Sequence, residues 1–238
     1  FFKRLHDLGI RGAKIDFLDH EAKETIDQYV DILREAAKNQ VMVDFHGANK
    51  PTGLSRTWPN EMVVEGVKGM ESSKLEDRAT HETTIPFTRC LAGPAEYTVM
   101  LFGERKRNTT IAHQVASAAI LDAPLLTYGT HPDTILASPA VELNKKIPAT
   151  WDETIVLPGS EIGELAAYAR RKGNTWFIAV MNGKAPRKLS IPLQFLKGGT
   201  YKGLLVKDDI SVEKKNFRRS DTLELDLVSG GGFIAELS

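Results

Sequence analysis

The residues of this sequence best suited to chemistry are mostly carboxylates, and they gather where apolar runs end. Lys14, Asp16 and Asp19 lie in or just after "GAKIDFL" (12–18). Asp44 and His46 close "VMVDF" (41–45), with Asn49 just beyond. Glu65 and Glu71 bound "EGVKGME", Arg89 follows "TTIPFT" (83–88), and Tyr128, His131 and Asp133 close "PLLTYGTHP" (124–132) or follow it. Paired carboxylates can divide nucleophilic and acid/base work across one bond, so the set fits glycoside chemistry or a metal-assisted proton transfer. The chain has no catalytic thiol pattern, no glycine-rich phosphate loop and no G-x-S-x-G elbow.

Each candidate has a simpler reading. Asp16 and Lys14 point to one face of a strand and can form an ion pair. His46, followed by Gly47, can satisfy a loop carbonyl. Glu65 and Glu71 can be solvated acids, Arg89 can pair with a nearby acid, and Cys90 reads as packing.

The elements that must position these residues are legible as a grammar. "FFKRLHDLGI" reads as a helix closing on Gly9, inside a domain rather than at its start. A strand follows, then a helix over 19–40 with Ile26, Val30, Leu33 and Ala37 on one face and Asp19 placed to cap it, then a second strand. Alternating strands and helices with short links predict parallel strands with helical crossovers. In such sheets, function collects at the carboxyl ends of the strands, where the candidate residues stand. Strand ends are also read at 83–88 and 124–132, and "TTIAHQVASAAILDA" is helical.

The Pro/Ala/Asn stretch 137–154 marks a boundary, giving domains over 1–150 and 151–238. Beyond it, short runs separated by Gly, Asn, Asp and Lys turns predict an antiparallel β-sandwich.

Composition excludes several classes. There are 31 basic and 31 acidic residues in 238, so net charge offers no attraction to nucleic acid, and the clusters 103–107 and 213–219 read as solvated loops or faces. No apolar run is long enough to enter a bilayer as a spanning helix. The single cysteine excludes an internal disulfide.

A more specific pattern runs along the chain: 9–19 "GIRGAKIDFLD", 44–60 "DFHGANKPTGLSRTWPN", 65–71 "EGVKGME", 85–98 "IPFTRCLAGPAEYT", 111–125 "IAHQVASAAILDAPL", 151–154 "WDET" and 229–237 "SGGGFIAEL". In these stretches the sequence resembles glycoside hydrolase family 97, bacterial α-glucoside and α-galactoside hydrolases. The resemblance implies a partial (β/α)8 barrel (TIM barrel), strands four to eight, followed by a C-terminal β-sandwich, with an N-terminal domain and the first strands absent. "AKIDF" would be the fourth strand, "VMVDF" the fifth, the "EGVKGME" region the sixth, "TTIPFT" the seventh and "PLLTYG" the eighth.

The family divides by mechanism. Its retaining members carry an aspartate nucleophile at the end of the fourth strand, matched by Asp16. Its inverting members carry a glutamate after the histidine of the fifth strand, where this chain has Gly47. The resemblance therefore implies the retaining, α-galactosidase-containing branch, with Glu71 as general acid/base and Ca2+ held by Glu65 and Glu71. Lys14 would keep Asp16 ionised and, with Asp44, His46 and Arg89, contact sugar hydroxyls. An α-glucosidase of the same scaffold and a non-catalytic carbohydrate-binding remnant are the alternatives, the latter because half a barrel leaves unpaired strand edges. Expected partners are an oligosaccharide or α-galactoside, the missing N-terminal domain or another copy of the chain, and the resemblance implies a periplasmic or exported location.

Overall fold

The computed structural model describes residues 1–18 and 20–238. Its first part builds a small parallel sheet: α1 (Phe2–Asp7), β1 (Gly12–Ile15), α2 (Lys23–Lys38), β2 (Met42–Phe45) and β3 (Glu61–Val64). The strands lie in chain order, all parallel, with Lys14 beside Asp44 and Asp44 beside Val63. Helix–strand alternation thus produces the parallel sheet that the sequence predicts. The parallel order continues as single bridges, Val64 to Ala95 and Val99 to Tyr128.

Helix α2 buries Thr25, Tyr29, Leu33 and Ala36, whereas Ile26 and Ala37 are exposed. The expected stripe is therefore offset by about one position, with Leu33 common to both. Tyr29 sets the offset, because its ring meets Phe45 edge-on at 4.7 Å and draws that line of the helix onto the sheet. The N-cap position is Ala22, with no side-chain bond. Asp19, expected to cap this helix, lies outside the described residues.

Two further expectations are corrected. The stretch 83–88 is not a strand: α3 (Arg78–Thr84) runs through its start and a 3-10 turn (Ile85–Phe87) follows. Asp77 caps α3 by accepting from Thr80 N–H, and the Thr83 and Thr84 hydroxyls bond back to the carbonyls of Ala79 and Thr80. Those local bonds override the β preference of Thr and Ile. Its place beside β3 is taken by residues 95–99, while 124–132 contributes one bridge rather than a strand. The strand of the "EGVKGME" region is β3, "EMVV", and "EGVKGME" itself is the loop that leaves it.

Helices α4 (Ile111–Ile120), α5 (Pro132–Leu136) and α6 (Val141–Asn144) lead into the all-β part. Its strands are β4 (Glu153–Val156), β5 (Leu165–Lys172), β6 (Thr175–Asn182), β7 (Arg187–Pro192), β8 (Thr200–Val206), β9 (Val212–Arg218), β10 (Thr222–Leu227) and β11 (Gly232–Leu237). They form an antiparallel six-stranded sheet in the order β4-β5-β6-β11-β8-β9 and a β10-β7 pair. Leu189, Ile191, Leu223 and Leu225 of the pair share a core with Ile178, Val180, Leu205 and Phe233 of the large sheet.

The opposite face of the large sheet packs on α4, joining Ala112, Val115 and Ala119 with Ala166, Phe177 and Ile234. A Cβ at Gly232 would lie 2.2 Å from His113 Cα, so only glycine lets β11 approach α4 this closely.

Candidate active site

Neighbouring parallel strands bring their ends to one level. His46 N–H donates to Ile15 C=O at 2.8 Å, Glu65 N–H to Phe45 C=O at 2.8 Å and Glu96 N–H to Val64 C=O at 3.2 Å. The residues just past β1, β2, β3 and the 95–99 segment therefore form a row, as parallel pairing requires.

The hub of this row is Glu96, whose side chain is fully buried. His46 Nδ1 lies 2.5 Å from Glu96 Oε2, Lys14 Nζ lies 3.4 Å from the same oxygen, and the Thr98 hydroxyl donates to Oε1 at 3.0 Å. The other ring nitrogen, His46 Nε2, lies 3.0 Å from Glu71 Oε2. Glu71 is half exposed, with 51% of its side-chain surface accessible, so it can meet a ligand that His46 only supports. Burial disfavours the charged His46 ring, yet the Glu65 and Glu96 carboxylates outweigh it and raise its pKa.

Glu96 is not among the sequence candidates because it lies beyond the stretch 83–88 and ends no apolar run. The available signal was a lone acid alternating with Ala95, Tyr97 and Val99.

Asp16 stands just past the end of β1, exposed, its carboxylate accepting from Phe17 N–H at 2.6 Å. Phe17 has φ 67° and 82% exposure, so the backbone turns in the left-handed region immediately after Asp16. Such a conformation is uncommon for a bulky residue and is frequent at functional turns. Lys14 pairs with Glu96, and among the described residues no ion pair joins it to Asp16, so the simple Lys14–Asp16 pair is not formed.

Asp44 lies beneath the rim, 3% exposed, with Oδ1 unpartnered. Burial and the Glu96 charge push its pKa up to about 7, so this carboxyl is largely protonated in mildly acidic solution. Arg89 does not reach into the row. Its guanidinium donates to the carbonyls of Val64, Glu65, Gly66, Gly93 and Pro94, bracing the loops, and this geometry gives no support to a sugar contact. Tyr128 is beside Val99, and His131 caps α5 with Asp133 at its side.

Glu65 accepts from Gly47 N–H at 2.7 Å, and burial raises its pKa. Glu65 and Glu71 were expected to hold Ca2+. Ca2+ takes about six to eight oxygens. Among the described residues no three His, Cys, Asp or Glu side chains converge as a metal site. These residues alone do not fit the ion, and no step below passes through it.

The family profile for glycoside hydrolase 97 matches residues 1–67, and the profile "Glycosyl-hydrolase 97 C-terminal, oligomerisation" matches 150–238. The chain belongs to glycoside hydrolase family 97. A "Probable retaining alpha-galactosidase" of Streptomyces bingchenggensis is 35% identical over 233 residues, covering 95% of this chain and 36% of the relative. A "Retaining alpha-galactosidase" of Bacteroides thetaiotaomicron is 28% identical over 257 residues, covering 97% of this chain and 39% of the relative. Among solved structures, a family 97 enzyme of Pseudoalteromonas sp. strain K8 in complex with acarbose superposes with a TM-score of 0.90 at 25% identity, over 100% of this chain and 43% of that one. This family 97 chain thus spans less than half the length of the relatives it matches. No described helix is long and apolar enough to cross a membrane.

Proposed function

We propose that the chain forms strands four to eight of a (β/α)8 barrel within a retaining glycoside hydrolase that removes terminal α-galactosyl groups, with 1–150 contributing the barrel and 151–238 the sandwich. The observation that carries this is the row itself: Asp16, His46 with Glu71, Glu65 and Glu96 at the ends of adjacent parallel strands. The two named relatives, both called retaining α-galactosidases, support the substrate class.

In this mechanism the Asp16 carboxylate attacks the anomeric carbon as Glu71 gives its proton to the departing oxygen, leaving a β-glycosyl ester. Glu71, now a carboxylate, takes a proton from water, which attacks the same carbon and frees Asp16. Two inversions give net retention, which requires the two carboxyl groups about 5–5.5 Å apart across the bond. His46, held by Glu96, orients Glu71, and Lys14 presents an ammonium to sugar hydroxyls. A Ca2+ bound by Glu65 and Glu71 would need its other oxygens from outside the described residues, and EDTA treatment tests for it. The sandwich would serve assembly, as its family profile is described, and an exported location accords with a sugar-releasing role.

A second reading, an α-glucosidase of the same scaffold, is favoured by the Pseudoalteromonas family 97 structures in complex with acarbose and with panose. Nitrophenol release from α-galactoside and α-glucoside substrates decides between them, with Asp16→Ala as control and NMR of the released anomer. Undiminished turnover by Asp16→Ala would remove the nucleophile, and turnover of neither substrate would favour a carbohydrate-binding remnant.

A further inference from the structure

Arg78 is among the largest fully buried side chains of the molecule, at 0% exposure, and no carboxylate pairs with it directly among the described residues. Its guanidinium instead donates to Met70 C=O at 2.7 Å and Ser72 C=O at 3.0 Å, with Met70 Sδ at 3.2 Å. These carbonyls belong to the two residues that bracket Glu71. A buried charge is costly unless its surroundings compensate.

Besides Arg78, the segment is held by Arg107, which donates to Ser73 C=O at 3.0 Å, and by turn bonds from Ser72 N–H to Gly69 C=O and Leu75 N–H to Ser72 C=O. Residues 69–75 adopt no helix or strand, and among the described residues the Glu71 carboxylate is bonded by His46. Behind Arg78 stands a buried polar chain: Met70 N–H donates to Tyr97 C=O at 3.1 Å, and the Tyr97 hydroxyl donates to Glu82 Oε1 at 3.2 Å. Gln114 Nε2 donates to Glu82 Oε2 at 2.9 Å, and His113 Nε2 lies 3.1 Å from it. His113 Nδ1 reaches Gly231 C=O at 3.1 Å in the β-sandwich. The loop carrying Glu71 is thus held, through α3 and α4, against the sandwich.

The geometry points to Arg78 as a positioning residue for Glu71, a planar fork that fixes the peptide planes on either side of the acid/base so that its carboxyl meets the departing oxygen. Nη2 donates to both carbonyls while Nη1 meets Met70 Sδ, so the planar guanidinium makes three contacts in one fixed plane, which the compact ammonium of a shorter side chain does not reproduce. This inference rests on Glu71 being the general acid of the proposed reaction.

The experiment uses the full-length protein and the variants Arg78→Lys, which keeps the charge without the planar three-contact geometry, and Arg78→Gln, which removes the charge. Turnover is measured on a dinitrophenyl α-galactoside, whose leaving group departs with little protonation, and on the phenyl α-galactoside, which needs the acid. The expected result is a kcat/KM loss of roughly tenfold to a hundredfold on the phenyl substrate and little change in kcat/KM on the dinitrophenyl one, since kcat/KM reports only the first step, in which Glu71 acts as acid, and misplacement by about 1 Å can cost on the order of a hundredfold. Equal losses on both substrates, or none, would overturn the assignment. Glu71→Gln separates the two ideas: if it shows no leaving-group dependence, the acid itself is misassigned, whereas dependence in Glu71→Gln but not in the Arg78 variants sinks only the positioning role. Hydrogen exchange provides a readout that does not need turnover. The peptide over 69–75 should exchange faster in both variants while α4 and the sandwich stay protected, and unchanged exchange there, or loss of the whole fold in both variants, contradicts the inference.

Discussion

Replacing Asp44 with Asn should flatten the pH dependence of stability in a calculable way. The Asp44 carboxyl is buried on β2, has one unpartnered oxygen and titrates near pH 7 in the folded chain against an ordinary value of 3.8, with burial as the main cause and the Glu96 charge second. A folded-state pKa raised above the unfolded one means that the native state holds the proton more tightly. Its contribution is therefore fully present below about pH 4 and is lost as pH rises through 7. At about 1.4 kcal/mol per unit, the full contribution is about 4 kcal/mol, of which about 2.5 kcal/mol disappears between pH 5 and pH 8. Urea unfolding of wild type and Asp44→Asn at both pH values gives the number directly. The wild type should lose about 2.5 kcal/mol more than the variant over that interval. The raised pKa values of Glu61, Glu65 and His46 act in the same direction; Glu61 cancels in the comparison because both proteins share it, and His46 and Glu65, whose charges Asp44 feels, cancel in part. Parallel losses in the two proteins would mean that Asp44 is ionised in the native state and that the burial argument fails.

Other substitutions probe the same structure. Glu96→Gln keeps the shape but removes the charge that gathers Lys14 and His46, so kcat/KM should fall on the order of tenfold to a hundredfold in steady-state assays while circular dichroism is unchanged. Gly232→Ala forces a methyl onto the His113 backbone and should cost on the order of 3 kcal/mol in chemical denaturation, against little effect at Gly198, where nothing stands within 4 Å. Thr110→Ala removes the hydroxyl that caps α4 by accepting from His113 N–H and donates to Asp208, and should lower stability by about 1–2 kcal/mol in the same assay.

The parts of the fold legible in the sequence are those where local pattern and tertiary contact agree. Strand β10 alternates exposed and buried residues along "TLELDL", so its period of two is the packing itself. The helix–strand grammar before residue 47 is equally direct, although Tyr29 shifts the buried face of α2. Residues 83–88 mislead because Thr and Ile favour strands, while the cap at Asp77 and the back-bonding hydroxyls, which decide for helix, act over a span that apolar periodicity does not report. Strand β9 was hidden for a different reason: "VEKKNFR" buries only Phe217, an edge strand whose exposed lysines read as a charged loop.

Asp16, His46, Glu65 and Glu71 were found because they follow apolar runs. Glu96 was missed because its importance comes from convergence: three strands apart in the sheet from Asp16, it receives His46 and Lys14 only once the parallel order is formed. Arg78 was missed for a similar reason, since nothing in "EDRATHETT" tells that its side chain turns inward to the carbonyls beside Glu71.

The most direct test of a double displacement at this rim is covalent capture. The full-length protein, incubated with a fluorinated α-galactosyl fluoride that slows the second step, should gain one sugar by intact mass, and peptide mapping should place it on Asp16. A sugar found on another residue, or product formed with inversion and no adduct, would contradict Asp16 as the nucleophile and the retaining mechanism built on it.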